Sequence, residues 1–460
     1  MGWKTWVVGV GTLIGAAAQA GDASPPADTP VLGEIAAAVS PAQLQATVAQ
    51  LVAFGTRHTL SDTRSDTRGI GAARRWVRAR FEAISRDCGG CLSLVTPSDT
   101  VTGPRVPQPT EIVDVVAVQK GVADPQRVIV LSAHLDSRVS DVMDATHDAP
   151  GADDDGSGVA LVLEAARVLS RYQFRATLVY GVLSGEEQGL YGGKILARYA
   201  QQQGWFVEGD LNNDIVGSPR GENGVLDNTR VRLFSEATRE TETPAQARLR
   251  RDAGGENDSP SRNLARYVKR SAERWLPNWR VDLVYRVDRD HRGGDHEAFN
   301  ALGMPAVCFR ESAEDYRRQH QDVRVENGVA YGDTLDHVDF EYLAKVAATN
   351  LLAAAALAWA PPPPEDVKIS GAVTPDTRLS WQPLAGGAAA DLAGYRVWWR
   401  DTAAPEWTHS RWAGNAHELT LKDIVIDDYD FGVSAVSKDG FESPVEFPGP
   451  IGAFRAPPVQ

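Results

Sequence analysis

Between residues 31 and 84 apolar positions recur every three to four residues, the spacing of amphipathic helices. Ser40 and Pro41 mark one helix start, with Ser40 as N-cap and the proline in the first turn. Residues 71–84 form a second amphipathic stretch, with Trp76, Val77 and Phe81 on one face. Beyond this, strand-like and helix-like patterns alternate. Short β-rich runs at 111–118, 128–133, 177–183, 211–216 and 306–309 are interleaved with helical periodicities at 156–171, from about 190, and at 263–275. A last helix is predicted at 340–359. Alternation of this kind implies crossover connections, so the expected fold class is α/β: a three-layer αβα sandwich with a mostly parallel central sheet, over 31–360.

The four prolines at 361–364 end that pattern and favour an extended spacer of roughly 12 Å, at about 3.1 Å per residue. Short β runs at 378–381, 394–399, 418–421 and 429–436 follow, separated by turn residues. They predict a small all-β sandwich over 365–455. Strand alternation puts Trp381 and one of Trp398 and Trp399 in its core.

The first twenty residues differ in kind. Lys4, an apolar run and Ala18-Gln19-Ala20 have the layout of a secretory signal peptide. The run is shorter than the ~20 residues a membrane span needs, and no later stretch is expected to span a bilayer. The expectation is an exported, soluble protein, periplasmic or extracellular. Its mature chain would begin near Gly21, with a flexible segment at 21–30. Of 460 residues 43% are hydrophobic and 23% charged, which excludes wholesale disorder. A net charge of −14 disfavours nucleic acid and anionic membranes as partners. In an oxidising compartment Cys88-Gly89-Gly90-Cys91 is expected to close a disulfide. No second cysteine pair exists to build a structural zinc site. Cys308, in an apolar run, is expected to be a buried thiol.

The acidic and histidine residues gather where the predicted strands end. His134 and Asp136 follow one strand. Asp153, Asp154 and Asp155 precede a helix. Glu186 and Glu187 follow the next strand, Asp214 ends another, and His320 lies in the loop after the last. In an open parallel sheet the carboxyl ends of the strands line the binding crevice, so five segments direct nitrogen and oxygen ligands at one place. One aspartate satisfies a helix cap; three in a row call for a cation. Imidazole and carboxylate without thiolate suit zinc, and so many ligands fit two ions sharing a bridging carboxylate. Of the pair Glu186-Glu187, one carboxylate can bind metal while the other takes a proton from water. Asp136, two residues after His134, is suited to orienting the imidazole.

Together AHLDS, PGADDDGSGVA, SGEEQGLYGG and NND resemble the secreted bacterial di-zinc aminopeptidases, whose wider family includes carboxypeptidases and glutaminyl cyclases. The resemblance covers 31–360 and implies two zinc ions per chain. It implies His134 and Asp214 as ligands of one zinc, Asp154 as the bridge, Glu187 as a ligand of the second, and Glu186 as general base, with Asp136 in support. His320 would complete the second zinc, ahead of His337, although the Asp-Thr element expected soon after that histidine comes only at Asp333-Thr334, past an apparent insertion at 323–332. RGGDHEAF, with Asp295 and His296, resembles a pocket-wall segment of the family, and His58 a structural position. The implied activity is release of N-terminal residues from peptides or proteins. A carboxypeptidase would need a basic pocket, for which Arg292 and Arg310 are candidates; a cyclase would use one zinc; a catalytically silent binding protein would have lost its ligands. The tail motifs WQP, GYRVWWR and YDFGVSAVSKDGFES resemble a fibronectin type III module, which could contact polymer or cell surface.

Overall fold

The computed structural model describes residues 29–455. The expected signal sequence, and most of the expected flexible segment, lie outside the described residues. Residues 29 and 30 do not belong to that segment: Pro30 begins a helix, Pro30–Ala37, at the first position, where a proline's missing N–H costs nothing.

An eight-stranded sheet forms the centre. Its spatial order is Leu92–Val95, Val115–Gln119, Ala176–Leu183, Asp124–His134, Phe206–Asn213, Ala306–Arg310, Arg230–Ser235, Arg280–Val284. The four middle strands run parallel. Val115–Gln119 pairs antiparallel on one flank, followed by Leu92–Val95, and Arg230–Ser235 pairs antiparallel on the other. Arg230–Ser235 and Arg280–Val284 pair parallel, so four of the seven pairings are parallel, and the sheet is mixed, its parallel centre flanked by antiparallel pairs. The connections explain it: the link at 120–123 is too short for the crossover that a parallel pair requires. The run at 111–118 also divides. Val106–Val113 pairs with Ser98–Gly103 in a separate hairpin, and only the apolar Val115–Gln119 enters the main sheet. The charged strands Arg230–Ser235 and Arg280–Val284 carry too weak an apolar pattern to be read from sequence.

Strand alternation sorts the core into two layers. Ile129, Leu131 and Ala133 face the helices Pro41–Val52, Gly69–Asp87, Gly156–Leu169, Pro260–Trp275 and Phe340–Trp359. Val128, Val130 and Val179 face the opposite layer, built from Tyr191–Gln202 and His296–Asn300. Phe340–Trp359 is long and apolar enough to cross a membrane, but 83% of its most apolar window is buried inside the fold. It lies against the sheet as a core helix.

After 364 come two antiparallel sheets of three strands each. They enclose Val367, Leu379, Trp381, Tyr395, Val397, Trp399, Phe431 and Val433. Trp398, of opposite parity, points outward, and the Arg270 guanidinium lies 4.7 Å from its ring centre. Residues 361, 363 and 364 are buried, so the proline run is packed rather than a free spacer. A charged seam fastens the sandwich to helix Pro260–Trp275. Arg400 reaches Asp258 at 2.7 Å and Asp430 at 2.9 Å, and Arg266 reaches Asp258 at 2.8 Å and the Pro405 carbonyl at 2.7 Å. Cys88 and Cys91 are disulfide-bonded and Cys308 is a buried thiol.

Candidate metal centre

His134 is the last residue of the strand Asp124–His134, and Asp214 directly follows Phe206–Asn213. Glu186 and Glu187 follow Ala176–Leu183 after Ser184 and Gly185. Gly185 has φ +83°, a turn that a side chain would strain. His320 lies in the loop after Ala306–Arg310. All emerge at the carboxyl ends of adjacent parallel strands, the usual position of a crevice.

Five of the residues singled out in the sequence converge there as two triads. His134 Nε2 lies 3.1 Å from Asp154 Oδ1 and 3.6 Å from Asp214 Oδ1. His320 Nε2 lies 2.9 Å from Asp154 Oδ2 and 3.2 Å from Glu187 Oε1. Asp154 is shared, one oxygen facing each triad. His337 is in neither; it sits near Asp153, Asp315 and Asp336, and burial lowers its pKa. A third buried group, Asp288, His296 and Cys308, lies close by, but Arg310 and Arg289 already occupy Asp288.

The three aspartates divide the work. Asp155 caps helix Gly156–Leu169 through Gly158 N–H and also accepts from His134 N–H. Asp153 accepts from Gly217 N–H at 2.7 Å. Only Asp154 is left with oxygens aimed into the crevice. Its loop is fixed by Asp333, which the sequence reading noted in the displaced Asp-Thr element without giving it a role: the carboxylate accepts from the backbone N–H groups of Asp153 and Asp154 at 2.7–3.0 Å. The insertion before Asp333 is a small hairpin, Arg324–Glu326 with Val329–Tyr331. Fully buried Arg57 braces the same loop, donating to the carbonyls of Leu135, Pro150 and Gly151.

Asp136 does more than orient an imidazole. Its carboxylate accepts from the backbone N–H groups of Gly185, Glu186 and Glu187 and from the Thr59 hydroxyl. It thereby fixes the turn that carries both glutamates. His134 Nδ1 meets the Asp136 main-chain carbonyl at 3.0 Å and the carboxylate at 3.7 Å. Behind Asp214 stands Arg310, fully buried, paired with Asp214 Oδ2 and, at 2.7 Å, with Asp288. Arg292 is bound to Glu314 and Gln319. Neither matches the free basic pocket that a carboxypeptidase would need. His58 is buried in loop hydrogen bonds, and His296 bonds the Val287 carbonyl. Asp295 receives Gly193 N–H.

The donor set fits cations. Two ligands on one zinc at about 2.1 Å stand roughly 3.4 Å apart, close to the separations in both triads. His134 Nε2, Asp154 Oδ2, Glu187 Oε1 and Asp214 Oδ1 are all buried without a hydrogen-bond partner, a costly state for polar atoms unless an ion meets them. Burial acts to raise the Asp154 carboxyl, but His320 and His134 overcome it and hold the group well below its usual range. Against the same burial, Arg310 and His134 hold Asp214 at about 2. Half-buried Glu186 takes no part in either triad. Burial pushes its carboxyl well above the ordinary value; Glu187 and Asp214 add to this and His134 opposes it.

A profile of Peptidase family M28 matches residues 114–354. A protein of Pyricularia oryzae described as a probable zinc metalloprotease is 43% identical over 417 residues, covering 90% of this chain and 83% of its own. A protein of Leptosphaeria maculans with a like description is 42% identical over 414 residues, 90% of this chain and 95% of that one. Among solved structures, the LapA aminopeptidase of Legionella pneumophila superposes with a TM-score of 0.51 at 19% identity, over 73% of this chain and 76% of that one, a likeness of fold. These curated sequence relatives are fungal, which corrects the bacterial attribution: the crevice motifs carry the ligand chemistry and say nothing of the source. The family profile covers more than half of the chain and spans every strand end that lines the crevice, and the first fungal relative keeps its identity along nearly the whole length. This chain belongs to peptidase family M28.

Proposed function

We propose that this chain is an exported zinc aminopeptidase that uses two zinc ions to hydrolyse the first peptide bond of peptides and proteins. The carrying observation is the pair of triads that share Asp154, whose buried ligand atoms lack hydrogen-bond partners. His134, Asp154 and Asp214 would hold one ion; Asp154, Glu187 and His320 would hold the other. The ions would supply Lewis acidity toward the scissile carbonyl and make a water acidic near neutral pH. Glu186, beside the triads and coordinated to neither, is the group available to accept a proton from that water and return it to the leaving amine. Asp136 holds Glu186 in place through its backbone N–H. The excess of carboxylates gives a positively charged substrate amino terminus a favourable field. The sandwich at 365–455 fits an accessory, fibronectin type III-like role in contact with a surface or polymer.

The test is a zinc titration of metal-stripped protein, following turnover of a leucyl anilide and of its N-acetylated analogue. The expected result is cleavage of the free-amine substrate alone, saturating near two zincs per chain. Equal cleavage of both substrates contradicts aminopeptidase action, and saturation at one zinc contradicts the paired ions.

A further inference from the structure

The turn that carries Glu186 and Glu187 holds two cations that neither triad uses. Tyr191 packs on Gly185 and Gly189, the two ends of that turn. The hairpin of Ser98–Gly103 with Val106–Val113 closes over Tyr191, and a Cβ at Gly103 would collide with the Tyr191 hydroxyl, so glycine admits the approach. Asp99 ties the hairpin to Arg198 of helix Tyr191–Gln202 at 2.8 Å. The hairpin turn thereby sets Arg105 on the glutamate turn, where its Nη1 donates to the Glu187 carbonyl at 2.8 Å. Lys194 Nζ donates to the Gly189 carbonyl at 2.9 Å and lies 5.7 Å from the Tyr191 ring centre. Both cations are exposed, and among the described residues neither is paired with a carboxylate. Arg138, Arg310 and Arg292, by contrast, are each held by carboxylates. One carbonyl uses one N–H, and a guanidinium has five and an ammonium three. Each cation therefore keeps donors for a further acceptor.

The proton that Glu186 returns goes to the nitrogen of the residue being released, so that residue lies against the same turn. When it is the last residue of the peptide, a single carbon separates its carboxylate from that nitrogen. In a crevice so rich in carboxylates, a further anion is repelled unless cations receive it. We infer that Arg105, assisted by Lys194, is a specificity-determining residue that binds a carboxylate on the released residue, an inference that rests on the aminopeptidase reading. The guanidinium suits a carboxylate through paired N–H donors, and the lysine adds a point charge. The favoured substrates are dipeptides, or longer peptides with aspartate or glutamate in second place. The free amine remains required, as before.

Zinc-loaded full-length chain is assayed on leucyl-glycine, on leucyl-glycinamide, and on leucyl-aspartate blocked as its α-amide. Wild type should favour a carboxylate-bearing substrate over leucyl-glycinamide by about tenfold or more in kcat/KM, chiefly through KM. Preference for leucyl-glycine alone assigns the site to the chain end, and preference for the blocked leucyl-aspartate alone assigns it to the side chain; either supports the proposal. Arg105→Gln should abolish most of the preference, Arg105→Lys should keep part of it, and Lys194→Gln should weaken it. Equal use of all three substrates by wild type overturns the role of Arg105 and leaves the aminopeptidase reading standing. So does a preference that survives in Arg105→Gln, even where turnover of all three substrates falls alike, as a merely structural role would have it. If Arg105→Gln does not fold, Arg105→Lys and Lys194→Gln decide: a preference unchanged in both overturns the proposal, and one reduced in either supports it. Failure of zinc-loaded wild type to cleave any of the three, or leucyl anilide, overturns the aminopeptidase reading itself.

Discussion

Two buried charged clusters in this chain are built on opposite principles. At the seam with the C-terminal sandwich, Arg400 and Arg266 meet Asp258 and Asp430, and a carbonyl oxygen takes a further guanidinium N–H. Cation and anion are matched, two guanidinium groups to two carboxylates, although Arg266 Nη2 and Arg400 Nε have no hydrogen-bond partner. In the crevice Asp136, Asp153, Asp154, Asp155, Glu186, Glu187, Asp214 and Asp333 face few cationic side chains, among them Arg57, Arg138 and Arg310. Four ligand atoms there lack hydrogen-bond partners. Unpaired buried carboxylates are costly to keep. A balanced cluster fastens two parts of a fold; an unbalanced one, at the ends of parallel strands, is complete only with cations.

This contrast can be broken in several ways. The largest effect is expected from Asp154→Ala, which removes the shared ligand: metal analysis should find at most one zinc per chain, and peptidase turnover should fall to background. Glu186→Gln should cost about 10²–10⁴-fold in kcat with both zincs retained, because Glu186 belongs to neither triad. At the seam, Asp258→Ala leaves two arginines without their shared partner. Urea unfolding should show a loss of about 3–5 kcal/mol, while turnover per folded molecule holds, since the seam does not reach the candidate ligands.

The smallest effect sharpens the comparison outside both clusters. Glu236 is buried with no matching cation in contact, and burial pushes its pKa from 4.5 up to about 7, with Arg239 opposing weakly. Because the folded value is raised, the unfolded chain ionises first as pH climbs. The stability cost is absent below about pH 4, grows between 4.5 and 7, and is complete above 7. Glu236→Gln should therefore match wild type in thermal melts at pH 4 and exceed it at pH 8, by about 1–3 kcal/mol.

Candidate ligand positions could be proposed from sequence because the apolar patterns that end near His134, Glu187 and Asp214 stop at chemistry-bearing residues, and strand ends share one place in a parallel sheet. The family resemblance then selected the middle aspartate of three; the structure supplies the reason, since the helix cap claims Asp155 and Gly217 N–H engages Asp153. Of the supports, Asp136 was read in part and Asp333 was noticed without a role, while Arg57 and Arg138 left no signal. Asp333 acts on a loop about 180 residues away in sequence, Arg57 on carbonyls more than 70 residues away, and Arg138 on a histidine 182 residues ahead. A sequence shows residue type without partner. For the same reason Arg310 suggested a carboxylate pocket, whereas the fold commits it to Asp214 and Asp288. Arg230–Ser235 and Arg280–Val284 escaped notice because Arg230, Arg232, Arg280 and Asp282 obscure their alternation, and only the second lies at the sheet edge, where charge is tolerated.

The most direct test of the central claim is anomalous diffraction at the zinc edge from crystals of the zinc-loaded protein. Two peaks are predicted, about 3.5–4 Å apart, one among His134, Asp154 and Asp214 and one among Asp154, Glu187 and His320. A single peak, or peaks away from these residues, would contradict the account.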